Sequence, residues 1–376
     1  MNTTRINIIK KLTNAINLAN INYPLIKSNS LYLYKLSKNI KQYWLNKDYD
    51  QTPLLKLSPE YKNISGVAAK SLIGEYSYIT NELKKLNKII KLSDSNISFY
   101  YLDLGNYHSD IKLINKLFNQ SVCLAKYCKL YEQGPIIIIW IPVNKARDWD
   151  LGIINEKNLE LSIANFNAFT ASGVTYGQNP RITIVSRYEE IAKLLLHELI
   201  HNFNLDGSAF HEHNHSIINH YKKIKNPSTE SSINNYDYQY SIYESYTELL
   251  SSYLSMIFRN ININSKTDLI KRYETEILME ILYSYNTISN LINLNEYKSY
   301  EDFEKEKKFK GDICVYEYYY LKGLLYNNYE LTLCHNEKDF MNNYKKIIET
   351  NKDDPLLKDI FNNMIEHTNF KYNFYD

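Results

Sequence analysis

The stretch "LLLHELIHNFNLDGS", Leu194 to Ser208, sets a His-Glu-x-x-His spacing inside an apolar segment. How it is read decides how the rest of the chain is read. Residues four apart on an α-helix stand about 40° apart around its axis. His197 and His201 can therefore each present an imidazole nitrogen to one ion, with Glu198 one step round the helix, near a water held by that ion. The ion lowers the pKa of that water and the glutamate accepts its proton, which is what a metal-assisted hydrolase needs. The preceding "IAKLLL" and the variable positions Leu199 and Ile200 make this helix apolar on nearly every side. Two histidines and a glutamate in a buried helix are costly without partners. A metal ion is one such partner; hydrogen bonds within an ordinary core are the other.

A second copy of the spacing, His211-Glu212-x-x-His215, follows in "FHEHNHS". Its variable positions are His213 and Asn214, and its apolar face comes from Phe210, Ile217, Ile218, Tyr221 and Ile224. Its histidines are expected to face water or a cleft edge rather than a second ion.

A tetrahedral catalytic zinc site has three protein ligands and one open position. One class takes the third from a histidine six residues after the second, with a glycine between. Those positions here hold Asn204 and Gly207, so that class is excluded. Asp206 is close enough in sequence to serve. A downstream helix, "YSIYESYTELLSSYLSMIF", offers Glu244 and Glu248, four apart and on one face. One of the two can bind metal while the other holds a ligand histidine in its tautomer. Glu244 is the expected ligand. Glu248 is the alternative, because Ser241-x-x-Glu244 also reads as a capping box for a helix beginning at Ile242.

Working outward, Ser186 and Glu189 form Ser-x-x-Glu, which places the start of the motif helix near Arg187 and its end near Phe203 or Asn204. Before it, "RITIV" and "PIIIIWIPV" read as buried strands and "ISFYYLDLG" as a strand, with a helix from about Asp110 to Tyr131 between the last two. The first ninety or so residues read as helices. One of them has apolar positions at Leu72, Tyr76, Ile79, Leu83, Leu86 and Ile90. The chain beyond Ile261 reads as helices.

The chain has 376 residues, enough for two or three units, and a formal charge of +2, which argues against a general nucleic-acid or membrane binder. The positive charge is concentrated at the start: no Asp or Glu occurs before Asp48, while Arg5, Lys10, Lys11, Lys27, Lys35, Lys38, Lys41 and Lys47 do. This reads either as a solvated face or as a patch for acidic partners. Cys123, Cys128, Cys314 and Cys334 are too sparse for a disulfide scaffold, so reduced thiols are expected. No signal peptide or apolar run long enough to span a bilayer is expected. The bias toward Asn, Ile, Lys and Tyr points to an A+T-rich genome.

The motif, with Glu244-x-x-Thr247-Glu248 after it, resembles the gluzincins, the thermolysin-like metallopeptidases. In them the ligand glutamate is followed four residues later by an acid that orients a ligand histidine. The order "SGVTYG", "ITIV", His-Glu-x-x-His resembles their order of rim strand, inner strand and active-site helix. The segments "ASGVTY", "SRYEE", "HELIHNFNLD" and "IYESYTELL" are more closely similar to predicted metallopeptidases of large nucleocytoplasmic DNA viruses, over residues 135 to 260. A more distant resemblance, through His-Glu-Leu-Ile-His, is to clostridial neurotoxin light chains.

These resemblances imply an α+β fold: a zincin-like catalytic domain at 96–260, with a small mixed sheet and active-site helices, between helical regions at 1–95 and 261–376. They imply a zinc-dependent metallopeptidase in which His197, His201 and Glu244 bind Zn2+ and Glu198 is the general base. Glu248 and Asp206 would support the ligands. Ser172, Gly173 and Val174 would line a peptide substrate on the rim strand, and Tyr240, Tyr243, His211 or His215 would stabilise the oxyanion. Expected partners are a peptide or protein substrate and virion or host proteins, in host cytoplasm or virion. The alternative from a different class is a non-catalytic structural or interaction protein on the same scaffold.

Overall fold

The run Ile136–Trp140 is apolar at every position because it is an inner strand covered on both faces. The computed structural model describes residues 3–45, 47–71, 82–105, 110–143, 173–176, 180–186, 188, 190–206, 242–294, 297–306, 317–331, 343, 346–347, 350 and 354–366. Among these, six strands form one mixed sheet. They are β1 (Thr52–Pro53), β2 (Lys88–Asp94), β3 (Ile97–Asp103), β4 (Ile136–Trp140), β5 (Gly173–Tyr176) and β6 (Arg181–Val185), in the order β1-β2-β3-β4-β6-β5. β3, β4 and β6 are mutually parallel; β1, β2 and β5 run antiparallel to their neighbours.

Strand alternation sorts the core into two layers. Phe99, Tyr101, Ile136, Ile138, Trp140 and Val185 face the larger layer. Tyr100, Leu102, Ile139, Ile141 and Ile184 face the other, where α3 (Pro59–Ser71) contributes Ile64 and Ala68. The parallel β3–β4 pair needs a crossover. It is supplied by α4 (Ile111–Tyr127), which starts at Asp110, whose side chain accepts a hydrogen bond from the Leu113 amide at 3.1 Å.

The larger layer is helical. α1 (Thr3–Ala15) and α2 (Tyr23–Lys41) pack on the long α7 (Lys266–Leu294), burying Leu12, Ile26, Leu33 and Ile40. At 1.5 Å per residue α7 is about 44 Å long. Lys10, Lys11, Lys27, Lys35 and Lys38 point outward from the two docked helices, so much of the N-terminal basic stretch is a solvated face. α5 (Ile191–Asn202) lies against β5 and β6, and α6 (Ile242–Asn260) packs on α5. α8 (Tyr300–Glu306), a π-helical turn (Glu317–Leu321), α9 (Lys322–Asn328) and α10 (Pro355–Asn362) complete the described helices. No described helix is long and apolar enough to cross a membrane, and Cys123 and Cys128 are free thiols.

The fold is α+β, and three local expectations change. The helix reading that ran to Ile90 ends earlier: Lys88–Asp94 is β2, paired residue for residue with β3. Ile89, Ile90 and Leu92 supply both faces of a buried strand, which a 3.6-residue count cannot tell from a helix over so short a run. The motif helix begins at Ile191 rather than near Arg187. Its N-cap is Glu190, in left-handed conformation (φ 59°), with no side-chain cap. Before it, the Tyr188 amide donates to the Val143 carbonyl and the Tyr188 ring stacks on Trp140. Finally, the expected division at 95/96 falls inside the β2–β3 hairpin, and one core cluster runs from Ile8 to Phe361.

Candidate metal centre

The motif helix is apolar all round because it is buried all round, between the sheet and α6. Its C-terminus explains how a nearby acid reaches the motif. Asn204 takes a left-handed conformation (φ 56°). The Leu205 amide donates to the Ile200 carbonyl and the Asn204 amide to the His201 carbonyl, both at 3.0 Å. This is a Schellman turn with asparagine in place of the usual glycine. It folds the chain back so that Asp206 lies behind His201. Arg181 of β6 donates to the Asn202 carbonyl at 2.6 Å, and Asn202 donates to Thr183 Oγ1 at 2.7 Å, fastening the same helix end to the sheet.

His197, His201 and Glu244 converge, each with one donor atom within 4.8 Å of the others. The two Nε2 atoms are 3.1 Å apart. Glu244 Oε2 lies 3.3 Å from His197 Nε2, and its Oε1 lies 3.4 Å from His201 Nε2. The far side of each ring is held by a separate carboxylate. Glu248 Oε1 is 2.8 Å from His197 Nδ1, and Asp206 Oδ2 is 2.5 Å from His201 Nδ1. Asp206 also accepts from Thr247 Oγ1 at 3.0 Å. Lys193 Nζ donates to the other oxygen of Glu248.

An ionised carboxylate only accepts, so each Nδ1 carries a proton, and a ring that gives up its second proton turns a lone pair from Nε2 toward Glu244. Two lone pairs and a carboxylate facing one another are repulsive unless a cation or shared protons lie between them. Ligands about 2.05 Å from a tetrahedral zinc stand roughly 3.3 Å apart; the two Nε2 atoms are 3.1 Å apart, and each has one Glu244 oxygen near that range, a different oxygen for each ring. The donor set of two imidazoles and one carboxylate fits zinc chemistry. Glu248 and Asp206 occupy the places that hold ligand histidines in tautomer and orientation.

The local field favours positive charge. Burial pushes the His197 and His201 pKa values down. Hydrogen bonds to Glu244 and Glu248 outweigh it for His197, which ends raised, and Asp206 and Glu244 carry His201 up to about 11. Burial pushes Glu244 and Glu248 up, yet the two histidines hold Glu244 well below the carboxylate range, and Lys193 with His197 brings Glu248 down to about 2. The field that retains protons on the rings is the field a dication would meet, and its binding would release them.

Glu198 is buried against β5. Thr175 Oγ1 lies 3.2 Å from its Oε2 and 3.1 Å from its backbone carbonyl, to either of which the hydroxyl can donate. A Cβ added at Gly173 would overlap the Glu198 side chain, which would have to move to make room for it. Burial raises the Glu198 carboxyl, despite the opposing pull of His197 and His201.

Of the residues singled out from sequence, the structure brings together His197, His201, Glu244, Glu198, Glu248, Asp206 and Gly173. Val174 is in β5 and Tyr243 in α6, their side chains outside the described residues. Ser172, His211, His215 and Tyr240 lie outside the described residues altogether, as do Cys314, Cys334 and the second His-Glu-x-x-His copy. Sequence reasoning missed Lys193, Thr175 and Thr247. For Lys193 a signal was present: a lysine inside "IAKLLL", one turn before His197, is a charge in an otherwise apolar helix and demands a buried partner. Against this geometry, comparison with protein-family models, with curated proteins and with solved structures returns no match.

Proposed function

We propose that the chain is a zinc-dependent metallopeptidase on a zincin-like scaffold of gluzincin type. The observation that carries this reading is the convergence of the His197 and His201 Nε2 atoms, 3.1 Å apart, on the two oxygens of Glu244 at 3.3 and 3.4 Å, with Glu198 in electrostatic reach of all three residues. Zinc, when bound, would supply Lewis acidity and draw the pKa of water toward neutrality. His197, His201 and Glu244 would hold it. Glu198 would take the proton of the attacking water on its carboxylate and deliver it to the departing amine. β5 is the last strand in the sheet order and leans on the motif helix, which supports reading it as the rail along which an extended peptide pairs.

The test is zinc per chain in the purified protein, beside Glu244→Ala and Glu248→Ala, with peptide hydrolysis in Glu198→Gln. The expectation is about one zinc per chain. Glu244→Ala should lose it and Glu248→Ala should weaken it. Glu198→Gln should keep the metal and lose about 10²-fold or more in rate. No zinc after incubation with the metal would sink the reading, and an unchanged rate in Glu198→Gln would sink the peptidase assignment.

A further inference from the structure

We propose that Lys193 is a positioning residue for the metal centre, acting through Glu248 on the His197 ring. This inference rests on the zinc reading above. Lys193 lies one turn before His197 on α5, and Glu248 faces both from α6; Lys193 and Glu248 are each 1% exposed. The two oxygens of the Glu248 carboxylate are divided: Oε2 accepts from Lys193 Nζ and Oε1 faces His197 Nδ1 at 2.8 Å. A carboxylate held at one oxygen can pivot about that contact. Held at both, its plane is fixed, and with it the direction in which His197 Nε2 points.

The stabilising value of such a pair is a poor reason for its presence. Removing a lysine and a glutamate from water costs much of what their attraction returns, and apolar residues of similar volume serve a core as well or better. The pair contributes direction, which packing alone cannot give to an imidazole. A second buried lysine–glutamate pair, Lys322 of α9 with Glu280 of α7, stands nearby at the longer distance of 4.0 Å. Lys193 reaches the centre through its contact with Glu248.

The experiment uses the full chain: parent, Lys193→Met, Lys193→Gln and Lys193→Arg. Zinc affinity is measured by chelator competition, the cobalt(II)-loaded visible spectrum is recorded, and the melting temperature of the metal-free protein is taken. Expected is a folded Lys193→Met that binds zinc about 10–100-fold more weakly, with altered cobalt bands. Arginine, which retains a cation and donors, should recover most of the affinity. A Lys193→Met that melts earlier but keeps parental affinity and cobalt spectrum would make Lys193 merely structural and overturn the inference. Should the methionine variant fail to fold, the glutamine variant, nearer in shape, is held to the same criterion. A parent that binds no zinc would overturn the metal reading itself. A zinc-binding parent with indifferent variants would overturn this step alone.

Discussion

At the scale of single residues, the centre depends on contacts shorter than a side chain can vary. Gly173 is the clearest case, since a methyl group there would occupy the space of the Glu198 carboxylate. On the proposed reading, Gly173→Ala should keep zinc and lose at least about tenfold in rate, because displacing a catalytic group by an ångström can cost 10²-fold. Zinc content and turnover measured together check this, and parental turnover would refute it. Asp206→Asn leaves His201 with a neutral acceptor, and the expected loss is about 10–100-fold in zinc affinity, read by chelator competition. The motif trio was legible in the sequence because its geometry is local: His197, Glu198 and His201 need only a helix. Choosing between Glu244 and Glu248 was not a local question. Both lie on one helix face, and only the packing of α6 on α5 sets Glu244 toward the Nε2 atoms and Glu248 toward Nδ1. Lys193 was passed over because a single charge in an apolar run names no partner until that same packing is known.

At the scale of elements, the end of α5 matters more than its beginning. Its N-terminus lacks a side-chain cap, whereas its C-terminus closes through the left-handed Asn204 and places Asp206. Asparagine tolerates that conformation and a β-branched residue does not, at a cost of about 1–2 kcal/mol. Asn204→Val should therefore lower the melting temperature and weaken zinc binding together, while Asn204→Gly leaves both near parental values. Thermal melts with and without zinc decide it. A valine variant with intact zinc affinity would mean that Asp206 keeps its place without the turn. The expectations that failed at this scale have a common physical cause. Ser186-x-x-Glu189 carries a capping signature, but Tyr188 is engaged by Trp140 and the Val143 carbonyl, and the helix begins at Ile191. Ile89, Ile90 and Leu92 fit helix and strand alike, and pairing with β3 decides between them. Where long-range contact overrides local preference, pattern reading alone has no access to the outcome.

At the scale of the whole molecule, elements distant in sequence share one core, and two measurements test how far that unity extends. Asp94, at the end of β2, lies 3.3 Å from Lys47 of the N-terminal segment and 3.3 Å from Lys126 of α4. Burial raises its carboxyl, but Lys126, Lys47 and Ser95 outweigh burial, so its folded pKa is lowered. A group whose folded pKa is depressed stabilises above its ordinary pKa, and that contribution is lost as pH falls through the folded value. Asp94→Asn should thus flatten the acid side of the stability curve and leave its slope near neutrality unchanged, as denaturant melts from acid to neutral pH would show. The second measurement concerns the N-terminal helices. Leu33 of α2 is fully buried in the same cluster as Leu199 of the motif helix. If that cluster melts as one unit, Leu33→Ala should destabilise it by about 2–5 kcal/mol. The transition it moves should be the one that zinc raises, since a ligand bound only to the folded state adds about 2.7 kcal/mol at a hundredfold excess over Kd. Calorimetry of parent and variant, each with and without zinc, separates the possibilities. A single transition responding to both changes would make α1 and α2 part of the body that carries the centre. A variant whose lowered transition ignores zinc would make the N-terminal helices an independent unit, and the continuity of packing from Ile8 to Phe361 would then be contact without cooperativity.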